Sequence, residues 1–240
     1  MDLRNLARSL PDIPRWVETR SLLLGGRCSV AESPDGFVVK ALDGPLVCCV
    51  GRPDPEAIRG AVASDPDPAP DLRLLVPPEN ADHAAFALPG WSRGSATIHL
   101  LEPGRSPEPD PSADVRLLQD DLLLALLPDA LRNEIGWALP RATVAVAFAD
   151  GIPASICYSC WETESLWDIS IETVPEFRRR GLAEACTAFL IRTMRGRGKE
   201  PVWGAEDSNR PSLGLAAKMG FAPVDRLVLF SPPQPDPDRS

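Results

Sequence analysis

Hydrophobic patterning in the second half of the chain predicts ten elements in the order β-α-α-β-β-β-α-β-α-β. Apolar residues at helical spacing fill 120–139, with a break at Pro128, and a strand candidate precedes them. Period-two alternation then marks three strands, the first two joined at the turn signal Asp150-Gly151, which predicts a hairpin. The remaining elements are a helix over 181–194, a strand over 201–207, a helix over 208–221 and a strand over 226–230.

The first half has a shorter but similar pattern. Its predicted strands cover 27–33, 35–42, 45–51, 72–78 and 95–103, and its predicted helices cover 54–64 and 79–91. Pro103 follows Gly90 by thirteen residues, as Pro233 follows Gly220. This match favours an internal duplication with a diverged first copy, and coincidence between two α/β units remains the alternative.

A proline-rich tract over 102–114 has the composition of an extended linker. We therefore expect a smaller α/β unit over 1–105, a main domain over 106–231 and a flexible tail over 232–240. The predicted fold class is α/β (α+β), with a mixed, mostly antiparallel sheet flanked by helices.

Composition narrows the function classes. The chain has 240 residues, 44% of them hydrophobic, and a formal net charge of −9, which is typical of a globular protein and argues against nucleic-acid binding. An acidic balance suits a cationic partner better. No apolar run is long enough for a membrane helix, so a cytoplasmic location without membrane contact is expected. The six cysteines lie in apolar runs, which predicts free thiols and no metal site.

The sequence RRRGLA, residues 178–183, stands between a strand and a helix. Such a turn leaves backbone N–H groups unpaired in front of the positive end of a helix dipole, which is an anion site. Gly181 would let a phosphate approach the main chain, and Arg178, Arg179 and Arg180 would neutralise it. A solvated arginine loop is the alternative.

These residues resemble the R/Q-x-x-G-x-G/A signature of the GNAT superfamily of acetyl-CoA dependent N-acetyltransferases. Downstream, Asn209, Ser212, Lys218, Gly220 and Phe221 match the family pattern N-x-x-S…K-x-G-F, and the resemblance covers about 112–231. It implies a GNAT fold with splayed central strands, preceded by a degenerate GNAT-like half. It also implies acetyl-CoA as cosubstrate, held by the residues that match the motif positions: Ile171, Thr173, Arg178, Arg179, Arg180, Gly181, Ala183, Asn209 and Ser212. Asn209 and Ser212 could equally serve as helix caps.

Attack of an amine on a thioester requires a base, because a free amine is protonated at pH 7. The resemblance favours Asp168, five residues before the threonine, with Glu164 next and Glu172 as a further candidate. A surface carboxylate on an edge strand is the alternative for each. Many family members place a tyrosine where this chain has Ala216, so the usual acid for the leaving thiolate is missing.

The resemblance implies an N-acetyltransferase that acts on a primary amine of a small cationic molecule. Trp161, Trp167 and the nearby acids suggest the acceptor pocket. Two alternatives remain open: a non-catalytic CoA-binding sensor, and a protein N-terminal or lysine acetyltransferase. The expected partners are acetyl-CoA and an amine acceptor, with the protein a monomer or a homodimer.

Overall fold

Strands from both halves of the chain form one mixed sheet. The computed structural model describes residues 2–63, 71–118, 121–136, 139 and 141–233. Eleven strands lie in these ranges: β1 (Cys28–Ser33), β2 (Gly36–Ala41), β3 (Leu46–Gly51), β4 (Arg73–Val76), β5 (Ser92–Leu101), β6 (Val115–Leu117), β7 (Val144–Ala149), β8 (Ile152–Glu162), β9 (Leu166–Thr173), β10 (Glu200–Glu206) and β11 (Phe221–Ser231). The helices are α1 (Leu3–Ser9), α2 (Val17–Gly25), α3 (Pro55–Val62), α4 (Ala81–Ala87), α5 (Asp121–Leu126), α6 (Asp129–Ile135), α7 (Leu182–Arg195) and α8 (Arg210–Lys218).

The strand order is β1-β2-β3-β4-β11-β5-β10-β9-β8-β7-β6. The last strand of each half lies inside the other half, since β5 separates β10 from β11 and β11 separates β4 from β5. Pairing is antiparallel except for two parallel pairs, β3 with β4 and β9 with β10. The two halves therefore have matching strand directions as well as matching element order.

Buried side chains follow the same plan. One cluster lies between β2, α1 and α2 of the first half and α6, β7 and β8 of the second, so both halves contribute to it. A second cluster packs α7 and α8 on the sheet, and a third packs α3 and α4 on the first-half strands. Because one core is common to both halves, burial of apolar surface holds them together.

The predicted order of all ten elements in the second half is confirmed, and so are the seven elements predicted in the first half. Asp150 and Gly151 both have positive φ, as a two-residue hairpin turn requires, and they join β7 to β8. The helix predicted over 120–139 is divided at Pro128 into α5 and α6. Parts of that prediction, and most of the predicted tail, lie outside the described residues. Helices α1 and α2 were not predicted.

None of the helices described here combines the length and the apolar character that crossing a membrane requires. All six cysteines are buried and free.

We predict that the two halves stay associated after the chain is cut. A protease site inserted after the exposed Glu108 should yield fragments that elute together in size-exclusion chromatography, because the shared core and the exchanged strands are intact. Residues 106–240 expressed alone should aggregate, since without β5 both β10 and β11 lose a neighbouring strand. Separation of the cut fragments, or a soluble folded 106–240 fragment, would contradict this account.

Candidate active site

Strands β9 and β10 are paired for only part of their length. Parallel pairing joins residues 166–168 to residues 200–202. Beyond this point β9 pairs only with β8, and β10 pairs only with β5. The edge of β9 that faces β10 thus has unpaired backbone groups over 169–173, and these require a partner. A groove of about 910 Å³ opens here.

The groove collects most of the residues that the sequence predicted for a cofactor. Those that line it are Ile171, Thr173, Arg178, Arg179, Gly181, Ala183, Asn209 and Ser212. Arg180 is not among the lining residues, because its guanidinium is paired with Asp150 (3.2 Å) and lies 5.5 Å from the centre of the Phe177 ring.

The turn at one end of the groove has the backbone geometry of an anion site. Arg179 (φ 62°) and Gly181 (φ 80°) both have left-handed backbone conformations, and α7 begins at Leu182. No side chain caps the N-terminus of α7. The N–H groups of the first turn of α7 therefore remain available to an anion, and the helix dipole adds positive potential.

Cationic side chains surround this turn. Arg178 donates to the carbonyl oxygen of Thr173 (3.1 Å) and to Glu172 Oε1 (3.1 Å), so it ties the turn to the end of β9. Lys218 lines the opposite wall and pairs with Glu184 of the first turn of α7. Among the salt bridges of the described residues, none involves Arg179. Its guanidinium is therefore the cation most available to a ligand phosphate.

The N-terminus of α8 forms the wall of the groove opposite the turn. Asn209 caps this helix, since its side-chain oxygen accepts from the N–H of Ser212 at 3.2 Å. Trp203 Nε1 donates to Ser212 Oγ at 2.9 Å. Both side chains have the capping or structural partners that the sequence left as an alternative to cofactor contact, and both line the groove. The position of the usual tyrosine is Ala216, which has no hydroxyl and is fully buried.

Asp168 stands where β9 and β10 part. Its Oδ1 accepts from the N–H of Gly204, at 3.4 Å. Gly204 lines the groove and so does Ile169, the residue after Asp168, which puts this carboxylate immediately behind the deep end of the groove. Burial, followed by the charge of Glu18, holds the pKa of Asp168 well above its usual value.

Glu18 lies in the first turn of α2, and sequence reasoning missed it. A methyl group placed on Gly204 would lie 3.6 Å from Asp168 Oδ1 and 3.9 Å from Glu18 Oε1, so the two carboxylates meet at one backbone position. Glu18 Oε2 is buried and has no hydrogen-bond partner. Burial raises the pKa of Glu18 to about 7. The signals for α2 were the acidic residue in its first turn and the Gly25-Gly26 stop.

The other predicted carboxylates lie in different surroundings. Glu164 does not line the groove; it forms an ion pair of 2.6 Å with Arg20, a buried arginine of α2. Glu172 does line the groove, but its Oε1 accepts from the N–H of Thr173 and from Arg178. Both of these carboxylates are engaged by arginines, whereas Asp168 has no cationic partner among the described residues and a raised pKa, which leaves Asp168 as the stronger candidate.

The predicted aromatic acceptor site is not part of this groove; Trp161, Glu162 and Glu164 line a separate pocket of about 420 Å³ beside α2. Trp167 and Trp161 are buried in two different core clusters, and neither lines the groove. Glu134 of α6 lines it instead, and its Oε1 accepts from the hydroxyl of Tyr158 at 3.0 Å. No spacing signal pointed to Glu134, because only the packing of α6 beside β9 brings it there.

The corresponding place in the first half has different chemistry. Strands β3 and β4 also pair in parallel over three residues. Strand β3 is followed by Pro53 and Pro55, which have no backbone N–H groups to donate to a phosphate. His83 Nε2 lies 2.6 Å from the carbonyl oxygen of Pro53, so α4 is tied directly to this turn. His83 follows Asn80 by three residues, as Ser212 follows Asn209.

A parted pair of parallel strands that leads into a glycine turn and a helix defines the class of the fold. Residues 144–230 match the family model for GNAT acetyltransferase. The chain is similar over 96% of its length to a GCN5-related N-acetyltransferase-like protein from Streptococcus suis, with 19% identity, a TM-score of 0.71 and 98% of that chain covered. It is also similar to a GCN5-related N-acetyltransferase from Kribbella flavida, with 14% identity, a TM-score of 0.63 and 94% and 95% of the two chains covered.

A tandem GNAT protein from the clavulanic acid biosynthesis pathway matches with 15% identity and a TM-score of 0.56, covering 92% of this chain and 88% of that one. A search of curated proteins found no match. The predicted resemblance is confirmed: residues 144–230 match the GNAT acetyltransferase family model, and the chain has the GNAT fold.

We predict that Gly181→Ala destabilises the fold through backbone conformation alone. An added Cβ would meet nothing within 4 Å, but φ of 80° costs an L-residue roughly 1–2 kcal/mol. Gly214→Ala is the matched control, because its Cβ also meets nothing and it lies inside α8, where alanine should stabilise by roughly 0.8–1 kcal/mol. Urea denaturation would measure both; a Gly181→Ala variant as stable as the wild type would contradict the assigned turn geometry.

Proposed function

We propose that the protein is an N-acetyltransferase that binds acetyl-CoA in the groove between β9 and β10 and transfers the acetyl group to a primary amine of a small cationic molecule. The observation that carries the proposal is that three features lie at one groove. They are the unpaired edge of β9, the uncapped N-terminus of α7 and the free guanidinium of Arg179. A pantetheine arm contains amides that can pair with a strand edge, and a pyrophosphate fits the helix N-terminus.

The roles follow from position along the groove. The N–H groups of Gly181 and Ala183, with Arg178 and Arg179, would hold the pyrophosphate. The backbone of Ile171 and neighbouring residues would pair with the pantetheine arm. This order directs the thioester towards the end of the groove that Ile169 and Gly204 line, with Asp168 behind them.

Asp168 would take the proton of the attacking amine, through a water molecule, because Gly204 and Ile169 stand between its carboxylate and the groove. In the balanced reaction an alkylammonium acceptor loses one proton to the base. Its nitrogen then forms the C–N bond as the C–S bond breaks. The second nitrogen proton leaves with the CoA sulfur as the thiol. A thiol is an adequate leaving group without a dedicated acid, which fits Ala216 at the usual tyrosine position.

Acidic side chains support a cationic acceptor. Glu134 and Glu172 line the groove, and Asp168 and Glu18 lie beside Gly204, which also lines it. Their combined negative potential would attract an ammonium group and raise its local concentration.

The first half would be a diverged copy of the catalytic half, with residues 1–105 and 106–231 as the two copies. The exchanged strands, the matching parallel pairs and the equivalent helices support this. The first copy would bind no second cofactor, because two prolines and His83 occupy the equivalent turn.

We predict one CoA site per chain. Acetyl-CoA at about 100 times its dissociation constant should stabilise the fold by about 2.7 kcal/mol, and titration calorimetry should give a stoichiometry of one. Gly181→Glu should abolish binding, since its carboxylate would stand where the phosphate belongs. A stoichiometry of two, or equal binding by the variant, would refute the site.

We also predict turnover. Release of free thiol should be detectable with at least one di- or polyamine, amino acid or amino sugar, and Asp168→Asn should reduce kcat by roughly 10²-fold at unchanged CoA affinity. Asp129→Asn, on the exposed side of α6, is the control and should leave kcat unchanged. Full activity of Asp168→Asn would move the base role elsewhere. No thiol release with any amine would favour a CoA-binding sensor, and release only with peptides would favour a protein acetyltransferase.

A further inference from the structure

The N-terminal half brings the carboxylate of Glu18 to Gly204, the residue whose N–H Asp168 accepts, and no step of the reaction above is assigned to it. Glu18 comes from α2, which packs on β8 and β9. Val17, the preceding residue, is buried in a cluster with Leu166 of β9 and Val202 of β10, the two strands that part at this point. Packing therefore fixes the first turn of α2 against the origin of the groove.

The two carboxylates have few other partners. Asp168 has backbone donors only, from Gly204 and Ile169, and Glu18 has its own backbone N–H, while Glu18 Oε2 is buried without a partner. A buried carboxylate oxygen without a donor is unfavourable when charged. Both carboxylates lie beside Gly204. Two such groups in one buried place are most stable when the pair binds one proton and only one of them is ionised.

Other titratable groups around the pair do not compensate for its charge. Thiols face it from β8 (Cys157 and Cys160) and from β3 (Cys48), and burial raises the pKa of all three, so they stay neutral at neutral pH. Glu134 of α6 is a further carboxylate near Cys160, and it supplies no positive charge to the pair. Among the described groups that shift the pKa of either Asp168 or Glu18, none is a cation.

We propose that Glu18 is a positioning residue that shares one proton with Asp168, so that a carboxylate pair made by both halves of the chain sets the proton affinity of the base. A lone aspartate is a weak base at neutral pH, whereas a carboxylate held beside a second negative charge binds a proton more strongly. The doubly ionised pair would take one proton from the ammonium acceptor, hold it as the singly protonated pair during acetyl transfer, and then release it to solvent to restore the ionised base. The inference rests on the transferase function proposed above.

The test is the pH dependence of kcat/KM in Glu18→Gln, which keeps the shape of the side chain and removes its charge. The acid limb should move to lower pH by about one unit or more, because Asp168 then ionises without a neighbouring charge. The rate at the plateau should fall, since a weaker base accepts the proton less readily. Glu18→Asp should lie between the variant and the wild type. Glu56→Gln is the control, because Glu56 also lies in the first turn of a helix, and it should leave the profile in place.

A second readout needs no substrate. The pKa of Glu18 is raised in the folded state, so the folded state binds protons more tightly than the unfolded state, and its stability should fall as pH rises from about 4.5 through about 7. The melting temperature of Glu18→Gln should show a smaller fall over this range than that of the wild type and of Glu56→Gln.

The outcomes separate the two claims. An unmoved kcat/KM profile in an active Glu18→Gln enzyme would overturn the shared proton and leave the transferase function standing. Absence of turnover in the wild type would overturn the function, and with it the role of Glu18 in a reaction. A wild-type pH dependence of the melting temperature in Glu18→Gln would show that the two carboxylates do not share a proton.

Discussion

The site depends on the short parallel pairing of β9 with β10. The two strands share three residue pairs and then separate, at the point where the carboxylate of Asp168 accepts the N–H of Gly204. This hydrogen bond from the backbone of β10 to a side chain of β9 replaces the next backbone hydrogen bond between the two strands. From there on β9 has one edge without a strand partner, and buried backbone groups cannot stay unpaired at low cost. The groove and the unpaired edge of β9 both follow from this one divergence.

The exchanged strands keep the divergence in place. Strand β10 is paired on its other side with β5, and β11 follows β5, so residues of the first half hold β10 away from β9. Helix α2 of the same half packs against β9 and β10 where they part and brings Glu18 to Gly204. The first half thus supports the second through the sheet, through a common core and through one charge. Its own divergent strands, β3 and β4, lead into prolines and His83 instead of an open anion turn.

Much of this architecture could be predicted from the sequence, because local signals were strong. Asp150-Gly151 predicted a hairpin, Gly181 predicted the turn from which α7 begins, and Asn209 predicted a helix start that the structure confirms as a cap. Long-range placement could not be predicted in the same way. Nothing near Glu18 in the chain shows that α2 packs on β9, and the spacing of Glu164 gave no sign of its ion pair with Arg20. Strand exchange is likewise invisible to periodicity, which describes one strand at a time.

Hydrogen exchange with and without acetyl-CoA tests the central claim, that the unpaired edge of β9 and the N-terminus of α7 together bind the cofactor. The account predicts slower exchange of amides within 169–173 and 179–185 when acetyl-CoA is added, with amides within 49–58 of the first half unchanged. No slowing over 169–173, or equal slowing in the first half, would contradict it.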